Sequence, residues 1–311
     1  MKYEDIQNEI QGPVPSFRTP FTQEGEIDWG SIPKVVEAAL SGRPRCLLLT
    51  AGDSHFECLS EKEIAEVTRR VCDIAAGRTL VVTADFQYAT RRAIEFAEFC
   101  RSCGSRVFMS LPPDWQSSCS AETLAAHYAA VAEALPVMIV TNRFRTRGDA
   151  FGLTAIRRAF ERSERIVSIK EDLGGRFACD VAQEFSSRCA VMAGGSKRLH
   201  ILMRPYGLSS YLSLFMNLYP ELAWAYWEHT AAGRFPEAEE IFRRKEIPLF
   251  AFLAGQRASF DAGIHALYEI HGLGRRWRRP PYTNFTDEEV RRLGDLLASL
   301  DLLPDQPCLP S

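Results

Sequence analysis

The stretch ERIVSIKEDLGG, residues 164–175, places a lysine at the end of an apolar run that is typical of a buried β-strand. Three of the four residues at 166–169 are β-branched and apolar, and two glycines follow where a strand would end. Lysine is rarely buried without a partner. Lys170 is therefore either paired with Glu171 or Asp172 at the surface, or it is an amine that takes part in chemistry.

Seven more runs of this type surround the lysine strand, and amphipathic helical patterns separate them. The eight runs are PVPSF (13–17), RCLLLT (45–50), TLVVTA (79–84), SRVFMSL (105–111), PVMIVT (136–141), RIVSIK (165–170), CAVMAG (189–194) and GLSSYLS (207–213). Strands that alternate with helices in this number predict an α/β fold, specifically a (β/α)₈ TIM barrel. An open doubly wound sheet is the alternative.

Helix boundaries are marked by capping residues. Ser60 and Glu63 form a predicted capping box at the start of a helix over residues 60–76. Gly104 is predicted to end the next helix. A second capping box, Thr286 with Glu289, opens the last of three helical segments that follow residue 232. We therefore predict a barrel domain over 1–232 and a C-terminal three-helix extension over 233–311.

Composition favours an ordinary globular enzyme. The 311 residues carry a net charge of −3, which gives no basic field for nucleic acid. The opening lacks an apolar core of the secretory type, and no run is long enough to span a membrane. The nine cysteines include no second pair at the spacing of zinc ligands, which indicates reduced thiols. We therefore expect a cytoplasmic protein without a bound metal.

A lysine at the end of strand six would reach the face where barrels of this kind place their active sites. Lysine nucleophiles react as the neutral amine, which enzymes favour by desolvation or cationic neighbours. Such an amine condenses with a 2-keto acid to an iminium, which accepts electrons when a neighbouring carbon–carbon bond breaks. The residue type and its position are thus compatible with imine chemistry at Lys170, and a surface pair with Glu171 or Asp172 is the alternative.

Five segments, in the same order, resemble the dihydrodipicolinate synthase/N-acetylneuraminate lyase family. They are TPFTQEGEIDW (19–29), ECLSEKEIAEV (57–67), IVSIKED (166–172), GLSSYLSLFMNLYP (207–220) and RRPPY (278–282) with the helix that follows it. The resemblance implies a class I Schiff-base lyase or aldolase in which Lys170 binds pyruvate or a related 2-keto acid. It also implies a homotetramer, a dimer of dimers, with no cofactor beyond the lysine.

The loop after strand two departs from the family pattern, which is Gly-Thr-Thr-Gly-Glu. Here it reads AGDSH, residues 51–55. Gly52 and Ser54 can still present amides, and Ser54 a hydroxyl, to a substrate carboxylate. Asp53 and His55 are titratable groups that the family pattern lacks, so they are candidates for moving protons. The alternative is a loop that only tightens a turn.

The two tyrosines of the family's proton relay are missing. Val140 or Thr141 occupies the position of the strand-five tyrosine, and we keep Thr141 as a candidate catalytic position. Trp115 is the nearest match to the second tyrosine and implies proximity to a dimer interface. Arg145 matches a position where some family members bind a second carboxylate. Alternatively, Arg145 and its neighbouring arginines form a solvated cluster.

Three further residues are candidates for substrate binding. Gly194 and Gly195, in the AGGS segment after strand seven, would allow a substrate close to the backbone. The alternative is a tight turn before a helix. Tyr211 lies in the strand-eight segment.

Three functional hypotheses remain. The first is a lyase or aldolase acting on a 2-keto acid, and not dihydrodipicolinate synthesis itself because the relay is gone. The second is a sugar-acid dehydratase that uses the same lysine to expel water. The third is a non-catalytic barrel that binds a ligand or serves in assembly.

Overall fold

The computed structural model describes residues 3–195 and 197–310. The chain forms two compact units. One contains the described residues up to Phe17 together with Arg43–Leu214, and the other contains Arg18–Gly42 and the described residues from Phe215 onward. The division of the chain after residue 232, expected from the sequence, stays a prediction.

The first unit is built on eight parallel strands, and each of the eight predicted runs overlaps one of them. The strands are β1 (Gly12–Val14), β2 (Cys46–Leu48), β3 (Leu80–Ala84), β4 (Val107–Ser110), β5 (Val137–Val140), β6 (Ile166–Glu171), β7 (Ala190–Ala193) and β8 (Ser210–Leu212). From β2 to β8 each strand pairs with the next in sequence, and β1 pairs with β8. This order confirms the predicted (β/α)₈ barrel.

The barrel closes between β1 and β2 just beyond the regular ladder. Ser16 forms a parallel bridge with Leu48. The amide of Phe17 donates to the carbonyl of Leu48 at 2.8 Å, and the amide of Leu48 donates to the carbonyl of Pro15 at 3.1 Å. These bonds leave the two strands without an open edge at this point, as barrel closure requires.

Helices follow the strands, and several of them begin at a capping side chain or a glycine. Those up to the end of the barrel are α1 (Tyr3–Glu9), α2 (Ile32–Ser41), α3 (Glu61–Ala75), α4 (Thr90–Ser102), α5 (Ala121–Ala134), α6 (Asp149–Arg162), α7 (Gly175–Phe185) and α8 (Lys197–Met203). The predicted capping box of Ser60 and Glu63 is present at α3. Gly104, at φ 96°, ends α4 as predicted.

The C-terminal helices are α9 (Leu214–Leu218), α10 (Pro220–Ala231), α11 (Phe235–Ile241), α12 (Ile247–Ala254), α13 (Phe260–Ile270) and α14 (Asp287–Ser299). The first segment of the predicted extension is divided by a π-helical turn, Phe242–Glu246. Pro248 explains the division. It has no amide proton to donate to the carbonyl four residues earlier, and its ring clashes with that carbonyl, so the regular α-helical turn is interrupted there. The capping box at α14 is present. Within the described chain, no helix combines the length and hydrophobicity needed to cross a bilayer.

Candidate active site

Lys170 is the penultimate residue of β6, a strand that pairs with β5 on one side and β7 on the other. Its neighbours in register are Val140 on β5 and Met192 on β7. All three strands are parallel, so their carboxyl ends meet at one rim of the barrel, which is the rim where barrels of this class carry their active sites. The side chain of Lys170 is 9% exposed. The predicted nucleophile therefore stands at the expected rim and is almost fully buried.

The lysine is paired with a carboxylate from its own strand end. Nζ of Lys170 donates to Oδ1 of Asp172 at 2.5 Å, and the Asp172 side chain is 12% exposed. The salt bridge that the sequence allowed as an alternative is thus present, but it is buried rather than at the surface. Removing one partner of a buried ion pair leaves the other charge buried without compensation, which destabilises the folded protein.

Glu171 and Thr141 hold the backbone on which this pair stands. The carboxylate of Glu171 accepts the amides of Leu173 at 2.9 Å and Gly174 at 3.1 Å. The hydroxyl of Thr141 donates to Glu171 at 3.2 Å and accepts the amide of Asp172 at 2.9 Å. Burial raises the pKa of Glu171, against the lowering effect of these amides. Thr141 therefore positions the turn that carries Asp172.

Gly194 provides the space that the Lys170–Asp172 pair occupies. A Cβ atom at this position would lie 2.0 Å from Oδ1 of Asp172 and 2.8 Å from Nζ of Lys170. The amide of Gly194 donates to the carbonyl of Glu171 at 2.7 Å. Gly195 has room for a side chain and is exposed. Ser196, the last residue of the predicted AGGS segment, lies outside the described residues.

The loop after β2 is held by its own hydrogen bonds at the same rim. The hydroxyl of Ser54 donates to the carbonyl of Phe17 at 2.7 Å and accepts the amide of Thr50 at 3.1 Å. The amide of Asp53 donates to the Thr50 hydroxyl at 2.9 Å. The Ser54 hydroxyl, predicted to hold a substrate carboxylate, is thus engaged with the backbone.

Two other residues of this loop differ sharply in their surroundings. His55 is buried at 3% exposure and adopts the left-handed conformation, with φ 57°. Gly52 is exposed and has open space where a side chain would stand. The loop therefore presents one buried titratable ring and one unobstructed backbone position.

The arginines after β5 do not form one solvated cluster. Arg147 donates to Asp114 at 2.5 Å and to the carbonyl of Cys119 at 2.8 Å, with both charged side chains largely buried. Arg145, the predicted second-carboxylate residue, is exposed. Arg143 is half-buried. The alternative of a purely solvated cluster is therefore wrong for Arg147, which is a structural anchor.

The two remaining aromatic candidates are placed very differently. Tyr211 is fully buried on β8, with its ring 5.0 Å from that of His200 and 5.5 Å from Nζ of Lys197. Trp115, the candidate interface residue, is 79% exposed. An aromatic side chain so exposed is a common feature of contact surfaces.

Asp85, which directly follows β3, is a buried acid that was not among the residues predicted from the sequence. One oxygen, Oδ1, accepts the amide of Leu111 at 2.7 Å, and no described group bonds to Oδ2. Burial raises the pKa of Asp85 to about 7, against the lowering effects of the Leu111 amide and the Arg143 charge. Its position immediately after a buried strand is the signal that would have revealed it.

The fold and the lysine at the end of strand six define the class: a (β/α)₈ barrel with its candidate chemistry at the carboxyl rim. The sequence profile of the Dihydrodipicolinate synthetase family matches residues 9–300. The chain belongs to this family, a group of lyases and aldolases that process small molecules.

Individual relatives carry several different names. A 4-hydroxy-tetrahydrodipicolinate synthase of Sorangium cellulosum is 28% identical over 273 residues, 85% of this chain and 81% of the relative. A probable 5-dehydro-4-deoxyglucarate dehydratase of Rhizobium meliloti is 24% identical over 306 residues, 96% of this chain and 98% of the relative. An N-acetylneuraminate lyase from Fusobacterium nucleatum has a similar structure, with a TM-score of 0.83 at 14% identity over 94% of this chain and 99% of the other.

Proposed function

We propose that this protein is a Schiff-base lyase or aldolase that acts on pyruvate or a related 2-keto acid. The observation that carries the proposal is Lys170 itself: a nearly buried lysine at the carboxyl rim of a barrel in this family. The amine attacks the keto carbon, and the resulting iminium accepts the electrons of the bond that breaks next to it. No cofactor is needed for this chemistry.

The remaining predicted residues take supporting roles in this proposal. The amides of Gly52 and Gly195 orient the substrate carboxylate, Tyr211 lines the substrate site and Arg145 receives a distal acid or hydroxyl group. His55 and Asp53 exchange protons with the bound substrate. Because Val140 and Thr141 supply no phenol, the reaction is not dihydrodipicolinate synthesis. We also propose a cytoplasmic homotetramer with Trp115 near a dimer interface.

A sugar-acid dehydratase is the second candidate. The relative of Rhizobium meliloti with that name matches 96% of this chain, which favours it. The same iminium would expel a hydroxyl group as water, so product analysis separates the two reactions. A non-catalytic scaffold is the third candidate, and the Lys170–Asp172 salt bridge is compatible with it.

Reductive trapping tests the proposal. Incubation with pyruvate and borohydride should add the mass of the reduced adduct to the peptide that contains Lys170. A panel of 2-keto acids, including sugar-derived ones, then narrows the substrate. A Lys170→Arg variant is the matched control, since it keeps the charge opposite Asp172 but cannot form an imine. An unmodified wild-type peptide throughout the panel would favour the scaffold.

A further inference from the structure

We propose that Asp172 is a second catalytic residue, which carries the protons that imine formation at Lys170 requires. This inference rests on the proposed function, because it assigns a role within the same site. It goes beyond the salt bridge as a static contact: the carboxylate receives a proton from the amine and returns it to the departing oxygen.

The contact is made with the reacting atom itself. Oδ1 of Asp172 lies 2.5 Å from Nζ of Lys170, a short charge-assisted hydrogen bond along which a proton can move. The side chains are 9% and 12% exposed. Little water therefore reaches the bond between the two groups.

The carboxylate is also held in place from the backbone side. The amide of Asp172 donates to the hydroxyl of Thr141 at 2.9 Å, and Gly194 leaves room for Oδ1. The hydroxyl of Thr141 also donates to Glu171, so both of these hydrogen bonds hold the backbone around Asp172. Asp172 is thus a preorganised base, and Thr141 is a positioning residue.

The proton steps balance without any other reagent. Asp172 takes one proton from the Lys170 ammonium, and the free amine attacks the keto carbon while the carbonyl π electrons move to oxygen. The acid protonates that oxygen, and the carboxylate then takes a second proton from nitrogen. The nitrogen lone pair expels the hydroxyl group, which leaves as water with the proton from Asp172. The result is an iminium, water and a carboxylate again.

Asp172 also supplies a proton-transfer group in a site that lacks the two tyrosines of the family. The missing tyrosines deprive the site of its expected proton relay, and neither Val140 nor Thr141 can supply one. A carboxylate in contact with Nζ serves the imine-forming steps directly. An opposite role is a pure counter-ion that keeps the lysine protonated and unreactive. The two roles predict opposite effects when the charge of Asp172 is removed.

The test uses a carbonyl compound that needs no specific substrate site. Formaldehyde with excess cyanoborohydride methylates lysines through an imine, and peptide mass spectrometry follows each lysine separately. Lys34 and Lys62, both exposed, serve as internal standards. Asp172→Asn should slow labelling of Lys170 by about 100-fold relative to these standards, the scale of general acid–base catalysis. Asp172→Glu, which keeps the carboxylate, should recover most of the rate.

Labelling of Lys170 in the Asn variant at or above the wild-type rate would overturn the proposal, with circular dichroism confirming that the variant is folded. If the variant does not fold, the wild-type protein decides the matter: the solvent deuterium isotope effect should be larger at Lys170 than at Lys34, and equal effects would overturn the inference. Parallel trapping with pyruvate separates the two claims. Asp172-dependent methylation without any pyruvate adduct would reject the proposed function and support the role of Asp172.

Discussion

Nζ of Lys170 and Oδ1 of Asp172 lie 2.5 Å apart at the carboxyl end of β6, with about nine-tenths of each side chain removed from solvent. The two residues are separated by one position in sequence, and a turn fixed by Glu171 brings their side chains together. The pair is therefore a product of local backbone geometry. Changes that disturb the turn or the space beside it should disturb the amine.

Gly194→Ala should disrupt the pair. The new Cβ would lie 2.0 Å from Oδ1 of Asp172, so the carboxylate must move. We expect a loss of about 1–3 kcal/mol in the free energy of unfolding, as for overpacked cores, and slower adduct formation at Lys170. Gly195→Ala is the matched control for stability, since the nearest atom is 3.9 Å away. Urea unfolding measures both; equal stabilities would contradict the crowding at Gly194.

Thr141→Val should cost about 1–3 kcal/mol, because it leaves the part-buried amide of Asp172 without an acceptor and removes a donor to Glu171. Valine has nearly the same shape as threonine, so packing changes little. Thr141→Ser keeps the hydroxyl and should stay close to the wild type. Urea midpoints give the comparison. A valine variant as stable as the serine variant would show that the hydroxyl does not hold the turn.

Asp85→Asn should change how stability depends on pH. In the native protein burial raises the pKa of Asp85 to about 7, while in the unfolded chain it ionises near its ordinary value of 3.8. Between these values the native state binds more protons, so Asp85 makes the free energy of unfolding fall as the pH rises. Asparagine keeps an acceptor for the Leu111 amide and removes this penalty.

The advantage of the Asn variant should therefore be absent near pH 4, grow up to about pH 7 and level off above it. Urea unfolding of both proteins at several pH values measures the difference. The raised pKa of Glu171 contributes equally to both proteins and cancels. A constant difference across this range would mean that Asp85 titrates normally in the native protein.

The sequence predicted the barrel because buried parallel strands and amphipathic helices leave a periodic pattern that does not depend on tertiary detail. The capping boxes at Ser60 and Thr286 were found for the same reason: both of their partners lie within four residues. Lys170 was found because a charged residue at the end of an apolar strand breaks that pattern. Signals of this kind depend only on residues close together in the sequence, so they can be read without the three-dimensional structure.

What the sequence could not provide was the surroundings of single polar atoms. The burial of the Lys170–Asp172 pair depends on Gly194, which lies in another strand's loop. The raised pKa of Asp85 depends on the packing that excludes water around it. The helical segment is divided at Phe242–Glu246 because Pro248 disturbs the turn before it. The spacing of apolar residues does not show how far such a disturbance extends.

His55→Asn tests whether the buried imidazole moves protons after the imine has formed. His55 adopts φ 57°, a left-handed conformation that asparagine tolerates well, so this change removes the titratable ring with little backbone strain. If the protein forms an imine with pyruvate, its enamine exchanges the methyl protons with solvent. We expect the Asn variant to keep the borohydride adduct on Lys170 but to exchange those protons about 100-fold more slowly, as for loss of a general acid–base group.

Nuclear magnetic resonance of pyruvate in deuterated water measures this exchange. His55→Ala is the companion variant: it lacks the same ring but fits the left-handed conformation less well, so it should lose exchange equally and stability in addition. Because adduct formation and exchange are read separately, a folding defect would lower both, whereas loss of the proton carrier lowers exchange alone. Wild-type exchange in the Asn variant would remove His55 from the mechanism and leave Asp53 or Asp172 to carry these protons.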